Sequence, residues 1–379
     1  MMAKRPIFEE QAAGSARVTA ATGALDRGQG ARGAIRVWLM VLFALVVAMI
    51  AVGGLTRLTG SGLSITDWRP VAGAIPPLSA ADWQREFDAY RQIDQYRLLN
   101  QGMTLAEFQV IFWWEWGHRQ LGRVIGLVWA LGFGWFLLRR QIPPGWTGRL
   151  LLLGALGGVQ GAIGWWMVSS GLQEGMVRVA SYRLALHLGL AFVILGLIAW
   201  FVLALGRSEA QLMAARRGRE DRLWRSSTGL VHFTFLQVLL GALVAGIDAG
   251  RGYTDWPLMA GGLFPPGMWD LTPVWRNLFE NDGTVQFIHR VSGYLLFVMG
   301  LFVWLRARRS PHPATAAAGT AMFAAMAAQI VLGVVTVMNG APWYFGIAHQ
   351  LLAVVLFVLA IRLRFLAGHP ADATIRGAR

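Results

Sequence analysis

Four histidines, His118, His187, His289 and His349, each fall within the first two turns of an apolar segment, and they recur in a matched order. A neutral imidazole is a common metal ligand, and two imidazoles on facing helices can hold one haem iron from both sides. Two pairs, His118 with His187 and His289 with His349, therefore predict two bis-histidine haem sites. Zinc fits less well, because each pair supplies two ligands with few carboxylates nearby, whereas zinc sites take three or four protein ligands. The chain has no cysteine. That excludes disulfides, thiolate ligation of haem, iron–sulfur clusters and covalent haem attachment. Of the other histidines, His232 is expected to pack in the core, and His312 and His369 to be solvated.

The elements that must carry these side chains are membrane spans. The 379 residues are 55% hydrophobic and 14% charged, too apolar for an ordinary soluble domain. A span needs about 20 apolar residues, and eight segments qualify: 36–56, 113–138, 150–168, 183–205, 228–247, 286–305, 316–337 and 343–364. The formal charge of +14 is unevenly placed. Of 34 basic and 20 acidic residues, 22 and 7 lie in the tails, the loops 139–149, 206–227 and 306–315, and the adjoining span ends. The remaining 12 and 13 lie on the other side. This is positive-inside bias, so both termini are expected in the cytoplasm, the loops 57–112 and 248–285 outside, and nucleic acid is not a partner.

The chain also repeats itself. "HRQLGRVIG" from His118 matches "HRVSGYLLF" from His289, "VQGAIGWWMVSSG" from Val159 matches "AQIVLGVVTVMNG" from Ala328, and "LALHLGLAFV" around His187 matches "GIAHQLLAVV" around His349. "TDWRPVAGAIPP" from Thr66 resembles "TDWPLMAGGLFPP" from Thr254. Four spans per copy give both copies the same orientation, so the expected fold is all-α: two tandem four-helix bundles related by a pseudo-two-fold axis along the membrane normal. The expected divisions are a disordered cytoplasmic tail (1–35), an amino-terminal half (36–205), a basic cytoplasmic linker (206–227), a carboxy-terminal half (228–365) and a second cytoplasmic tail (366–379). The second and fourth spans of each half then face each other, one imidazole apiece, near the outer face, as bundles build cofactor sites.

The two copies differ at one chemically telling place. Half one has Glu115 three residues before His118; half two has Gln286 three residues before His289. Residues three apart share a helix face, so Glu115 is the candidate catalytic residue, handling protons at a reacting haem while half two passes electrons. The competing expectation is that Glu115 caps the helix or meets Arg119 or Arg123. Arg119 and Arg290 either pair with haem propionates or reach for the interface. Trp113, Trp114 and Trp116 either form an interfacial belt or wall a haem pocket.

At these residues the chain resembles the haem A synthase family, over roughly 36–365, and within it the cysteine-free branch of alphaproteobacteria and mitochondria. The resemblance rests on the eight spans, the Glu-x-x-His-Arg stretch at Glu115–Arg119, the His-Arg pair at His289–Arg290, and "GGLTRLTGSGLSITDW" from Gly53. It implies an oxidoreductase of the bacterial inner membrane that converts a ring methyl of haem O to a formyl group by successive hydroxylations, giving haem A for terminal oxidases. It further implies that His118 and His187 face haem O or haem A, that His289 and His349 ligate a haem b, and that Glu115 is the acid the reaction needs. Haem O synthase and terminal oxidase assembly become expected partners, the electron donor stays unidentified, and a homo-oligomer stays open. The alternatives are a dihaem b-type electron-transfer membrane protein, which leaves the Glu115/Gln286 difference unexplained, and a haem transporter, which has no need of a second resident haem.

Overall fold

The computed structural model describes residues 11–371, with side chains described from residue 31 onward. Among the described residues eight helices are long and apolar enough to cross a membrane. Span one is Ala31–Leu58, two is Leu105–Leu138, three is Thr147–Gly171 and four is Ser181–Leu205. Span five is Asp221–Gly246, six is Asp282–Ala307, seven is Pro313–Met338 and eight is Trp343–Gly368. Among the described residues the only bridge of β type is the isolated pair Met259–Gly262.

Local chemistry sets the span starts. Thr104 and Glu107 form a capping box, each side chain bonded to the other's backbone N–H, which satisfies donors a helix start otherwise leaves free. Span two therefore starts at Leu105 and not near 113, a start that the polar side chains of Glu107 and Gln109 conceal from an apolar-run count. Asn281 caps span six by accepting from the Thr284 N–H at 3.0 Å, and prolines open spans seven and eight, where a missing N–H costs nothing. The linker 206–227 contains the helix Glu209–Arg216 and the first turn of span five. The helix containing span one begins at Gln11, inside the stretch expected to lack structure; alanine is frequent there and is the best helix former. Residues 1–10 and 372–379, with the tail expectations that fall on them, lie outside the described residues.

Helix neighbours come in two matching sets. Spans one and two, two and three, three and four, and four and one pack together, as do five and six, six and seven, seven and eight, and eight and five. Each half is thus a closed ring of four in which the histidine-bearing spans stand diagonally. Between the rings, span four meets five, one meets eight, and four meets eight. Exchanging the halves reproduces the same neighbours. Burial follows suit: 50% of the most apolar stretch of span four and 56% of that of span eight is buried, against 6–17% in spans two, three, six and seven. Spans four and eight are therefore a central wall, joined by Phe192 on Phe357 at 5.5 Å and Trp200 on Phe365 at 5.2 Å.

The first long loop is a folded cap. Its helices Ala80–Tyr90 and Asp94–Leu99 lay Phe87 and Tyr90 on Phe108, Ile111 and Phe112 of span two. Trp113 and Trp116 belong to this aromatic cluster, at 5.3 Å from each other, and Trp83 sits 5.6 Å from Trp113.

Two histidine expectations are corrected. His232 is exposed, not core, and bonds through Nδ1 only to the Thr228 carbonyl of its own helix, at 2.8 Å. His369 is buried, not solvated: it stacks on Phe365 at 5.0 Å and accepts from Arg216 Nε at 3.2 Å. Apolarity on every side of a span hides which face meets lipid, and a helix that runs on to Gly368 carries His369 into the core.

The central wall yields a test. A β-carbon at Gly196 would lie 3.1 Å from Phe357 and 3.2 Å from Ile361, whereas one at Gly134 on span two meets nothing within 4 Å. Gly196→Val is expected to cost about 1–3 kcal/mol by overpacking and to lower Tm in mild detergent. Gly134→Val is expected to leave Tm within a degree or two of the parent, roughly the scatter of neutral surface changes.

Candidate functional site

All four histidines are placed alike, at the end of the rings that carries the long loops. Each imidazole lies against a glycine of the preceding span. A β-carbon would stand 2.8 Å from His118 Cε1 if added at Gly53, and 2.9 Å from His187 Cε1 at Gly164. In half two the distances are 3.1 Å to His289 Cε1 from Gly241 and 3.0 Å to His349 Cε1 from Gly333. Any side chain at these glycines would occupy the space the ring takes, so the rings are tucked against backbone. His118 and His187 stand on diagonal spans of one ring, and His289 and His349 on diagonal spans of the other, which sets the pairing within each half.

Three of the four histidines are also held by a glutamine one turn before the glycine. Gln160 Nε2 donates to the His187 carbonyl at 3.0 Å and sits 3.2 Å from its Nδ1. Gln237 Nε2 donates to the His289 carbonyl at 2.8 Å and sits 3.1 Å from Nδ1. Gln329 Nε2 donates to the His349 carbonyl at 3.0 Å and sits 3.3 Å from the ring Nε2. A carbonyl can only accept, so the amide nitrogen is fixed on that side and the amide oxygen on the other. The Oε1 atoms of Gln160 and Gln329 are buried without a partner, as are the Nδ1 atoms of His118 and His349. These glutamines were missing from the sequence expectations. The signal was there: Gln-x-x-x-Gly recurs at 160–164, 237–241 and 329–333.

Glu115 is buried at 3% exposure and has three donors. Its Oε2 accepts from Ser64 Oγ at 2.8 Å and the Ile65 N–H at 2.9 Å; its Oε1 accepts from Arg119 Nη2 at 2.6 Å. Arg119 also donates to the carbonyls of Ile65 at 2.9 Å and Asp67 at 3.3 Å. Half two repeats the clamp. Arg290 donates to the carbonyls of Tyr253 at 2.8 Å and Asp255 at 2.9 Å. Its Gln286 donates to Tyr253 O at 3.0 Å and leaves Oε1 unpartnered. The repeated Thr-Asp-Trp stretch is thus the loop segment that each arginine grips. Of the alternatives for Glu115, the contact with Arg119 is present. Arg119 and Arg123 also line a cavity of about 250 Å³, with Phe112 and Trp116. The Asp255 carboxylate, accepting from the N–H groups of Gly261 and Ala260, is held below the usual carboxylate range.

Among the described residues no group of three or more His, Asp or Glu could hold a bare metal ion. Two imidazoles per ring match a group that brings its remaining iron ligands with it, as a porphyrin does. The four close-fitting glycine cradles and the orphaned ring nitrogens fit such a group.

Comparison with known proteins identifies the family. A family model described as "Cytochrome oxidase assembly protein" (COX15-CtaA) matches residues 36–361. A protein named "Heme A synthase" from Ruegeria pomeroyi is 66% identical over 100% of both chains. Its namesakes from Paracoccus denitrificans and Jannaschia sp. are 61% identical over 99% of both chains and 62% over 87% of both. The chain belongs to the COX15-CtaA family of cytochrome oxidase assembly proteins.

Proposed function

We propose that this multi-pass membrane protein is a haem A synthase: an oxidoreductase that takes haem O and returns haem A, the ring methyl having become a formyl group. Full-length identity to proteins of that name carries the reading, and the paired imidazoles give it a place to act. The amino-terminal pair His118 and His187 binds the substrate haem, and the carboxy-terminal pair His289 and His349 holds a haem b. When bound, the haems supply the redox chemistry; the protein supplies orientation, electrons' access and protons. The two halves are related by a pseudo-two-fold axis along the membrane normal. The termini are in the cytoplasm of a bacterial inner membrane, with both sites near the outer face and close to the oxidases that take the product. Haem O synthase and the assembling oxidase are the expected neighbours in this membrane.

Four residues divide the work in half one. His118 and His187 orient the substrate from opposite sides of the ring of helices. Glu115 is the proton-handling group, on the same helix face as His118, and Arg119 and Ser64 hold its carboxylate in place. Arg119 also pins the Ile65–Asp67 segment over the site and limits entry of water. In half two Gln286 occupies the place of Glu115 and carries no titratable proton, which suits a haem that only transfers electrons.

Glu115→Gln is expected to lower haem A formation by roughly a hundredfold or more, the usual reach of a general acid–base group, while haem B stays bound. Haem extraction with mass identification measures both; retained haem A formation would remove Glu115 from the chemistry. A second test uses the cradles. Gly241→Val and Gly333→Val are expected to strip haem B and leave the other haem, and Gly53→Val and Gly164→Val to do the reverse. Equal loss of both haems from every variant would argue against two separate sites.

A further inference from the structure

Three of the four histidines share a glutamine on the neighbouring span that the fourth lacks. The first ligand of half two, His289, is bracketed by Gln237 of span five and Ser292, three residues on in its own span. Gln237 donates to the His289 carbonyl, accepts through Oε1 from Ser292 Oγ at 2.5 Å, and lies 3.1 Å from His289 Nδ1. Its amide also crosses Gly293, 3.2 Å from where a β-carbon would be. In half one the matching glycine of span two is Gly122, and what lies over it is the Met49 methyl, at 3.4 Å. Met49 is four residues before Gly53, as Gln237 is before Gly241, and Leu121 stands where Ser292 does. Both members of the polar pair are thus replaced by apolar residues at one histidine only. His187 and His349 keep their glutamines.

A buried amide on the histidine carbonyl ties that turn of its helix to the neighbouring span, and at His289 the Ser292 hydroxyl holds the amide in its turn. A thioether and an isobutyl group can do neither. A resident haem is served by two fixed ligands. A haem that enters as substrate and leaves as product needs an axial ligand that can let go. We propose that Gln160, Gln237 and Gln329 are positioning residues that latch His187, His289 and His349, and that Met49 with Leu121 leaves His118 unlatched, as the releasable axial ligand through which haem is exchanged in half one. This rests on the haem assignment above and adds which of the four ligands opens.

The experiment transplants the latch in both directions. Full-length protein is purified with its haems in mild detergent and mixed with excess apomyoglobin as haem acceptor. Haem release is followed by absorbance, and the haem left behind is extracted and identified by mass. Installing the pair, Met49→Gln with Leu121→Ser, is expected to slow release of haem O or haem A roughly fivefold, about what one added hydrogen bond carries, with haem B release unchanged. Removing the pair, Gln237→Met with Ser292→Leu, is expected to speed haem B release by a similar factor of roughly five and leave the other haem unchanged. Unchanged release in both variants overturns the proposal. Where the first variant fails to assemble, the second decides alone, and unchanged haem B release there overturns it. Unsubstituted protein that carries only one kind of haem would instead remove the haem assignment itself, an outcome distinct from an ineffective latch.

Discussion

An imidazole on one membrane helix can approach the axis of a four-helix ring only where its neighbour leaves room. Here that room is always a glycine of the preceding span: Gly53, Gly164, Gly241 and Gly333. In lipid the apolar tails compete equally well for apolar side chains, so close approach of backbones at small residues and hydrogen bonds between helices hold helices in register. At Gly164, Gly241 and Gly333 the glycine and the glutamine one turn before it supply both at once. The glycine sets the distance between spans, and the glutamine bonds the histidine carbonyl, so the same turn that positions the ligand also locks the helix pair. Diagonal placement of the histidine-bearing spans follows, because each must lie beside the odd-numbered span that accommodates its ring.

Duplication explains why the arrangement occurs twice, and the departures from it are local. The arginine clamp is common to both: Arg119 and Arg290 grip equivalent carbonyls of the loop after the first span of their half. What sits beneath the clamp differs. In half one a carboxylate accepts from the loop N–H of Ile65; in half two an amide donates to the loop carbonyl of Tyr253. The loop is held either way, so the exchange of Glu for Gln changes proton chemistry with little change in architecture. The exchange of Met49 for Gln237 is of the same kind, a local polar difference on a shared scaffold.

Much of this was legible in the sequence, for reasons that particular residues make clear. The eight spans stand out because the length of an apolar run is set by bilayer thickness. The four histidines stand out because an ionisable side chain in such a run is expensive and rare. Glu115 stands out against Gln286 because the repeat supplies its own control. Facing was not legible. His232 and His369 were misplaced because a span that is apolar on every side gives no period from which to tell lipid from neighbour. The partners of Arg119 and Arg290 were not legible either, since they are backbone carbonyls of an irregular loop, and no side-chain pattern announces a carbonyl. Gln160 and Gln329 lie inside segments that align between the halves and Gln237 does not, and a glutamine in a span carries no mark of the backbone carbonyl it bonds.

The aromatic cap joins these features. Phe108, Ile111 and Phe112 of span two are buried under Phe87 and Tyr90, and Glu115 lies one turn further along the same helix. The loop that folds over the start of span two is therefore also the loop whose Ser64 and Ile65 bond Glu115. Tyr90 donates to Gln95 Oε1 at 3.0 Å, and Gln95 donates to the Gly60 carbonyl at 3.2 Å, tying the cap back to the end of span one. Span one carries Gly53, which backs His118, and Met49, which lies over Gly122. A displacement of the cap consequently reaches the carboxylate through the loop and the histidine through span one. In half two the short helices of the first cap have no counterpart of comparable length, only single turns such as Val274–Arg276 and Asn277–Glu280. The half proposed to exchange its haem is thus also the half with the larger folded cover.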